Sequence, residues 1–150
     1  MIMERMSTNK TVLAIDDDYA ITELLSIILG SHGFDVLTAN NSEEGLRIIA
    51  EESPNAITLD LMMPDLDGLE MCKRIRSISE IPILVLSAVN DPAMVASVLD
   101  AGADDFIVKP VPSAVLIARV NMLLRRSNGT GAFKQPANAK WLSGTAPISS

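Results

Sequence analysis

Five short apolar runs recur along the chain, and each is followed by a longer stretch with helical spacing. Thr11 to Ile15, Phe34 to Ala39, Ala56 to Leu59, Ile81 to Leu86 and Asp104 to Val108 have the length and β-branched content of strands. Asp35 interrupts the second run, which predicts a strand nearer the sheet edge. Pro82 is tolerated only near the start of the fourth, since proline cannot donate to a strand ladder. From Ala20 a helical period places Ile21, Leu24, Leu25 and Ile28 on one face, and Gly33 is a plausible left-handed stop. Asn41-Ser42-Glu43-Glu44 has the N-cap and N3 carboxylate of a capping box and opens a helix carrying Leu46, Ile48 and Ile49, ended by Ser53-Pro54-Asn55. The spacing predicts a third helix over 67–77, with Leu69, Met71, Cys72 and Ile75 inward and Lys73, Arg74 and Arg76 outward. A fourth, capped by Asn90 or Asp91, presents Met94, Val95, Val98 and Leu99 and stops at Gly102. The last, Ser113 to Arg126, offers Val115, Leu116, Val120, Leu123 and Leu124 for packing.

Strictly alternating strands and helices with short loops predict an α/β domain with a parallel sheet and right-handed crossovers. The expected organisation is an N-terminal extension over 1–10, a single domain over 11–126, and a polar tail or linker over 127–150. From Ser127 the periodicity gives way to Ser-Asn-Gly-Thr-Gly and later Ser, Thr and Pro, a composition expected to be disordered. Trp141-Leu142 reads there as an incidental apolar pair.

Apolar residues make up 48% of the chain and aromatics only 3%, so the core must be aliphatic. The net charge of −7 disfavours direct contact with nucleic acid or an anionic membrane, and suits a site that collects a divalent cation. A single cysteine, Cys72, excludes an internal disulfide and a cysteine zinc site. No apolar run approaches the roughly 20 residues of a membrane helix, and the first ten residues have no secretory h-region. The expected location is the cytoplasm.

The chemistry gathers at the strand ends. Asp16-Asp17 follow the first strand, Asp60 closes the third, Ser87 follows the fourth and Lys109 the fifth. In a parallel sheet these ends share one edge, the edge at which open α/β sheets bind ligands. Clustered carboxylates suit Mg²⁺, which takes a few carboxylates together with water and phosphate oxygens. A carboxylate can attack phosphorus to give an acyl phosphate, so Asp60 is the candidate nucleophile. Lys109 supplies a positive charge, and Ser87 a hydroxyl, for phosphoryl oxygens. Asp65-Leu66-Asp67-Gly68 superficially looks like a calcium loop, but Arg76 stands at the twelfth position where a bidentate Glu is needed. The same four residues look like a phosphatase Asp-x-Asp-Gly motif, but Pro64 stands where a strand should precede them. They read as a turn and a helix start. The only histidine, His32, reads as a solvated helix-terminal residue.

Taken together, Asp16-Asp17, Leu59 to Gly68, Ser87-Ala88, Gly102-Ala103-Asp104-Asp105-Phe106 and Lys109-Pro110 resemble the receiver domain of two-component response regulators, over roughly 10–126. The resemblance implies a flavodoxin-like (βα)5 doubly wound sheet with strand order 2-1-3-4-5. It implies that Asp60 accepts a phosphoryl group from a sensor histidine kinase. Asp17, Asp60 and the main-chain carbonyl of Met62 would then ligate Mg²⁺, with Asp16 acting mainly through water. It also implies that Ser87 is the switch hydroxyl, Phe106 the switch aromatic, and Lys109 a phosphate-binding lysine joined to Pro110 by a cis bond. Such a domain is a regulator that catalyses only its own phosphotransfer and dephosphorylation, remodelling the face of helix 4, strand 5 and helix 5. That face is a candidate homodimer contact. Phe106 stands where many members have tyrosine. The ending Ala118 to Arg126 resembles regulators with a winged-helix DNA-binding domain. Those usually place a basic residue early in helix 4, where this chain reads Pro92-Ala93-Met94-Val95.

Overall fold

A computed structural model describes residues 9–133. Its elements run β1 (Thr11–Ile15), α1 (Tyr19–Gly30), β2 (Asp35–Ala39), α2 (Ser42–Glu52), β3 (Ala56–Asp60), α3 (Gly68–Ile78), β4 (Ile83–Ser87), α4 (Pro92–Asp100), β5 (Asp105–Val108) and α5 (Ser113–Phe133). All strand pairs are parallel, and the sheet order is β2-β1-β3-β4-β5. This is the expected flavodoxin-like order, with the Asp35-containing strand at an edge.

Side-chain alternation along the strands divides the interior in two. Leu13, Ile15, Ile57, Leu59, Ile83 and Val85 face α2, α3 and α4, where Ile48, Met71, Ile75 and Val98 meet them. Val12, Ala14, Ala56, Leu84 and Leu86 face α1 and α5, against Leu25, Leu29, Leu116, Val120 and Leu123. The three central strands carry apolar residues on both faces because both faces are covered by helices. Cys72 is fully buried, and burial pushes its thiol up to about 11, so it packs as a small apolar group.

Several element ends shift by a residue because a cap is half inside its helix. Asp18, Asn41, Asp67 and Asp91 are the N-caps of α1, α2, α3 and α4, each side chain accepting a main-chain N–H two or three residues on. The inward face of α1 is also corrected. Leu24, grouped with that face by its spacing, is 51% exposed and lines an open groove with Ile21, Ile28, Pro110 and Val111. Leu29 is fully buried instead. On α4 only Val98 is fully buried, and Leu99 is exposed. The last helix runs to Phe133 rather than ending at Arg126. Each residue added to an established helix gains a main-chain bond, so the polar Ser-Asn-Gly stretch can extend it. The rest of the expected tail, including Trp141-Leu142, and the first eight residues lie outside the described residues.

The largest departure on α3 is Arg76, expected outward. Its guanidinium donates to the carbonyls of Gly102 (2.8 and 3.2 Å), Ser79 (2.9 Å) and Ile81 (2.9 Å) and to the Asp104 carboxylate (3.0 Å). The same Asp104 oxygen accepts from the Ile83 amide at 2.8 Å. This one side chain ties the end of α3 to the entries of β4 and β5. Gly102 adopts φ +122°, and a Cβ there would lie 2.6 Å from Arg76 Cγ. Gly102→Ala is expected to lower stability by about 1–3 kcal/mol through strained backbone and displacement of Arg76, measured as a lower urea midpoint at unchanged slope.

Candidate functional site

The C-terminal ends of β1, β3, β4 and β5 bring the expected residues to one edge of the sheet. Asp60 is the last residue of β3, whose register sets it opposite Leu86 of β4. Asp16 follows β1 directly, and its amide donates to the Ala39 carbonyl, extending the strand pairing by one bond. Asp16 and Asp60 are buried; Asp17 is exposed. One carboxylate oxygen from each of Asp16, Asp17 and Asp60 lies within 4.8 Å of the others. Lys109, just past β5, reaches back with Nζ 3.1 Å from Asp16 Oδ2 and 3.4 Å from Asp60 Oδ1. Its peptide bond to Pro110 is cis.

Ser87 closes β4 and is fully buried. Its Oγ accepts from the Val89 amide at 3.0 Å, and its carbonyl accepts from the Lys109 amide at 2.8 Å. Met62 lies in the β3–α3 loop with its side chain exposed, and its amide donates to Asp60 Oδ1 at 3.4 Å. Phe106 is half-buried within β5, packed against the core on the α2–α3–α4 side. His32 is exposed, past the end of α1.

Local chemistry explains why the chain turns here. Pro64 bars a helix directly after β3, and Asp67 caps α3 by accepting from Glu70 N at 2.9 Å. Gly68 donates its amide to the Leu61 carbonyl at 2.8 Å, and a Cβ on Gly68 would overlap the Leu61 backbone and side chain. The glycine therefore lets the helix start close against the strand that carries Asp60. Two contributors escaped the sequence reading. Asn40 Nδ2 donates to the Asp16 carbonyl (2.9 Å) and to Thr22 Oγ1 (3.1 Å). Asp65 Oδ2 accepts from the Ser42 amide (2.8 Å). The capping-box pattern gave a signal for helix α2, but no signal for contacts to loops 23 or more residues away.

The electrostatics fit a cation. Burial pushes the Asp60 carboxyl above its ordinary value, and the charge of Asp16 adds to the push. The charge of Lys109 and the bonds from Met62 and Lys109 pull the other way without offsetting it. Burial disfavours the charged Lys109 ammonium, but its bonds and attraction to Asp16 and Asp60 outweigh that and raise its pKa. Desolvation acts upward on Asp65 as well, yet the hydrogen bonds from Ser42, its own amide and Leu66 hold it below the ordinary range. Three hard oxygen donors held together beside one lysine form a donor set of the kind Mg²⁺ takes. Since the folded pKa of Asp60 is raised, its neutral form favours the fold below the unfolded pKa of about 3.9, and that contribution is lost as pH rises through the folded pKa. Asp60→Asn is therefore expected to melt a few degrees higher than wild type near neutral pH in chelator, the gap closing toward about pH 4. Thermal melts across that range check it; a lower melting point for Asp60→Asn at neutral pH would contradict the assigned balance.

Comparison with known proteins bears on the family and the sheet. The response regulator receiver domain family model matches residues 12–121. The transcriptional regulatory protein AfsQ1 of Streptomyces coelicolor is 45% identical over 116 residues, covering 77% of this chain and 52% of AfsQ1. The response regulator MprA of Mycobacterium leprae is 43% identical over 127 residues, covering 84% of this chain and 56% of MprA. The chain thus spans about half the length of these relatives. Among solved structures, a two-component response regulator from Clostridium difficile matches with a TM-score of 0.78 at 31% identity, over 80% of this chain and 99% of that one. The BeF3-activated N-terminal receiver domain of RstA from Klebsiella pneumoniae matches with a TM-score of 0.73 at 32% identity, over 77% and 98%. Sequence and fold agree, and the chain belongs to the response regulator receiver domain family of two-component signalling.

Proposed function

We propose that this chain is a phosphorylation-controlled switch in which Asp60 accepts a phosphoryl group from a phosphohistidine of a sensor histidine kinase. The observation that carries this reading is the Asp60 carboxylate, buried at the end of β3 beside the Asp16 carboxylate, with the Lys109 ammonium bridging the two. An Asp60 oxygen forms the new O–P bond as the P–N bond of the donor breaks, and the imidazole takes a proton from water. Asp17, Asp60 and the Met62 carbonyl would hold Mg²⁺ directly, and Asp16 through water. When bound, the ion offsets the crowded negative charge and stabilises charge on the phosphoryl oxygens. Lys109 pairs with the same oxygens, and the buried Ser87 hydroxyl exchanges its bond from Val89 for one to the phosphoryl group. Phe106 turns inward in concert.

The output of this switch is the α4–β5–α5 face. Leu99 and Val108 are exposed there, and Arg119 of α5 pairs with Asp105 of β5 at 2.7 Å. Ser87 closes β4, the strand that pairs with β5, so repositioning its hydroxyl perturbs this face directly. The face is a candidate homodimer contact. Residues 11–126 form the receiver unit, 1–10 an N-terminal extension and 127–150 a polar tail or linker whose first residues continue α5 to Phe133. Relatives of about twice the matched length, one named a transcriptional regulatory protein, support a role as the receiver part of a transcription regulator. The net charge of −7 argues against nucleic-acid contact by this segment. Among the described residues no helix is long and apolar enough to cross a membrane, and the reading sets the domain in the cytoplasm beside its kinase.

Incubation with acetyl phosphate and Mg²⁺ is expected to add one labile phosphoryl group, about 80 Da, to wild type and none to Asp60→Asn, by intact-mass analysis. Chelator should abolish the gain. Lys109→Ala is expected to slow uptake by roughly 10²-fold while still binding metal. A phosphoryl group on Asp60→Asn with the same lability would move the acceptor elsewhere.

A further inference from the structure

The three carboxylates lie on two separate segments. Asp16 and Asp17 sit in the β1–α1 loop, and Asp60 leads into the β3–α3 loop that carries Met62. Like charges within 4.8 Å push these segments apart, and Lys109 bridges only Asp16 and Asp60. A third loop, β2–α2, contributes no ligand, yet it is hydrogen-bonded to both.

On one side Asn40 Nδ2 donates to the Asp16 carbonyl at 2.9 Å and to Thr22 Oγ1 at 3.1 Å. Thr22 is buried in the first turns of α1 and donates in turn to the Tyr19 carbonyl at 3.1 Å. Asp16 is thus held on every side: its amide by Ala39, its carbonyl by Asn40, Oδ1 by the Asp18 amide at 2.9 Å and Oδ2 by Lys109. On the other side the Ser42 amide, at the start of α2, donates to Asp65 Oδ2 at 2.8 Å. A carboxylate at a helix N-terminus gains from the unpaired amides and the helix dipole. The Asp65 bond anchors the β3–α3 loop three residues beyond Met62. The turn between these two anchors is itself fixed. Asn41 Oδ1 accepts from Glu44 N at 2.8 Å, and Glu44 Oε1 accepts from Asn40 N at 3.2 Å.

We propose that the Asn40–Ser42 turn is a bracket that sets the spacing of the two acidic loops, with Asn40 and Asp65 as positioning residues for divalent-cation binding. The proposal rests on the cation site proposed above. Neither residue touches the reacting atoms. Each removes from the binding step the cost of ordering a loop against its own charge repulsion, and ligand orientation set beyond the direct ligands is worth a large factor in metal affinity. Asn40 is uncharged, so it ties the β1–α1 loop without adding a further negative charge to the cluster.

The test uses the full chain and Mn²⁺ alone, followed by electron paramagnetic resonance of the free ion, so no phosphotransfer is required. Asp65→Ala and Asn40→Ala are each expected to raise the Mn²⁺ dissociation constant about 3–10-fold, below the loss typical of residues bonded directly to a ligand side chain. Asp65→Asn keeps an acceptor for the Ser42 amide and should recover most of the affinity. Glu51→Ala, which removes an exposed ion pair on the same helix, should leave it unchanged. Amide hydrogen exchange at Ser42 should quicken in Asp65→Ala. Folded Asp65→Ala and Asn40→Ala proteins that bind Mn²⁺ within twofold of wild type, while Asp60→Asn loses it, would overturn the bracket and leave the site standing. Equal binding by wild type and Asp60→Asn would overturn both. Should Asp65→Ala not fold, Asn40→Ala and Asp65→Asn decide the question.

Discussion

Repulsion among carboxylates is the constraint on which this structure turns. Asp16, Asp17 and Asp60 converge at one sheet edge, two of them buried, where water screens them poorly. An isolated cluster of this kind would protonate or spread apart. Here Lys109 is drawn in from the neighbouring strand end and bonds two of the three. Burial, with the Asp16 charge added to it, still keeps the Asp60 carboxyl above its ordinary value. The three oxygen donors therefore suit a further positive charge of the kind a divalent ion supplies. Burial and the neighbouring Asp16 charge make the Asp60 carboxylate a worse resident of the fold than a neutral side chain would be.

The fold makes that crowding achievable. Parallel strands point their C-terminal ends the same way, and side-chain alternation feeds two aliphatic cores that lock all five strands in register. A rigid edge is what allows charges from β1, β3 and β5 to be set within hydrogen-bonding reach. The glycine at 68 and the caps at Asp18 and Asp67 finish the job locally, since each lets a helix begin immediately beyond the loop that needs to be short.

Strand-end chemistry was legible in the sequence because a charged residue that closes an apolar run can lie only at the sheet edge. Asp16, Asp60 and Lys109 came from that rule, and the order of strands came from the resemblance. What escaped were contacts made between segments distant in sequence. Helical spacing points Arg76 outward, but spacing does not register the carbonyls of Gly102, Ser79 and Ile81 that wait beside α3. Leu24 failed for the opposite reason: α1 is apolar around more of its circumference than the core can cover, so periodicity could not choose between Leu24 and Leu29. The local sequence marks Asp65 only as turn chemistry, while its partner is the amide of Ser42 at the start of α2.

Arg76 has an implication for how substitutions in this fold should be judged. Its planar guanidinium meets three carbonyls and a carboxylate at once, along directions fixed by the loops that surround it. A lysine at this position would preserve the charge and much of the length. Its ammonium offers three donors from a single point and cannot span the fork, so some of those half-buried carbonyls would lose their donor. An exchange scored as conservative by charge is thus a loss of geometry, and the joints between α3, β4 and β5 would loosen with no change in the electrostatic balance of the molecule.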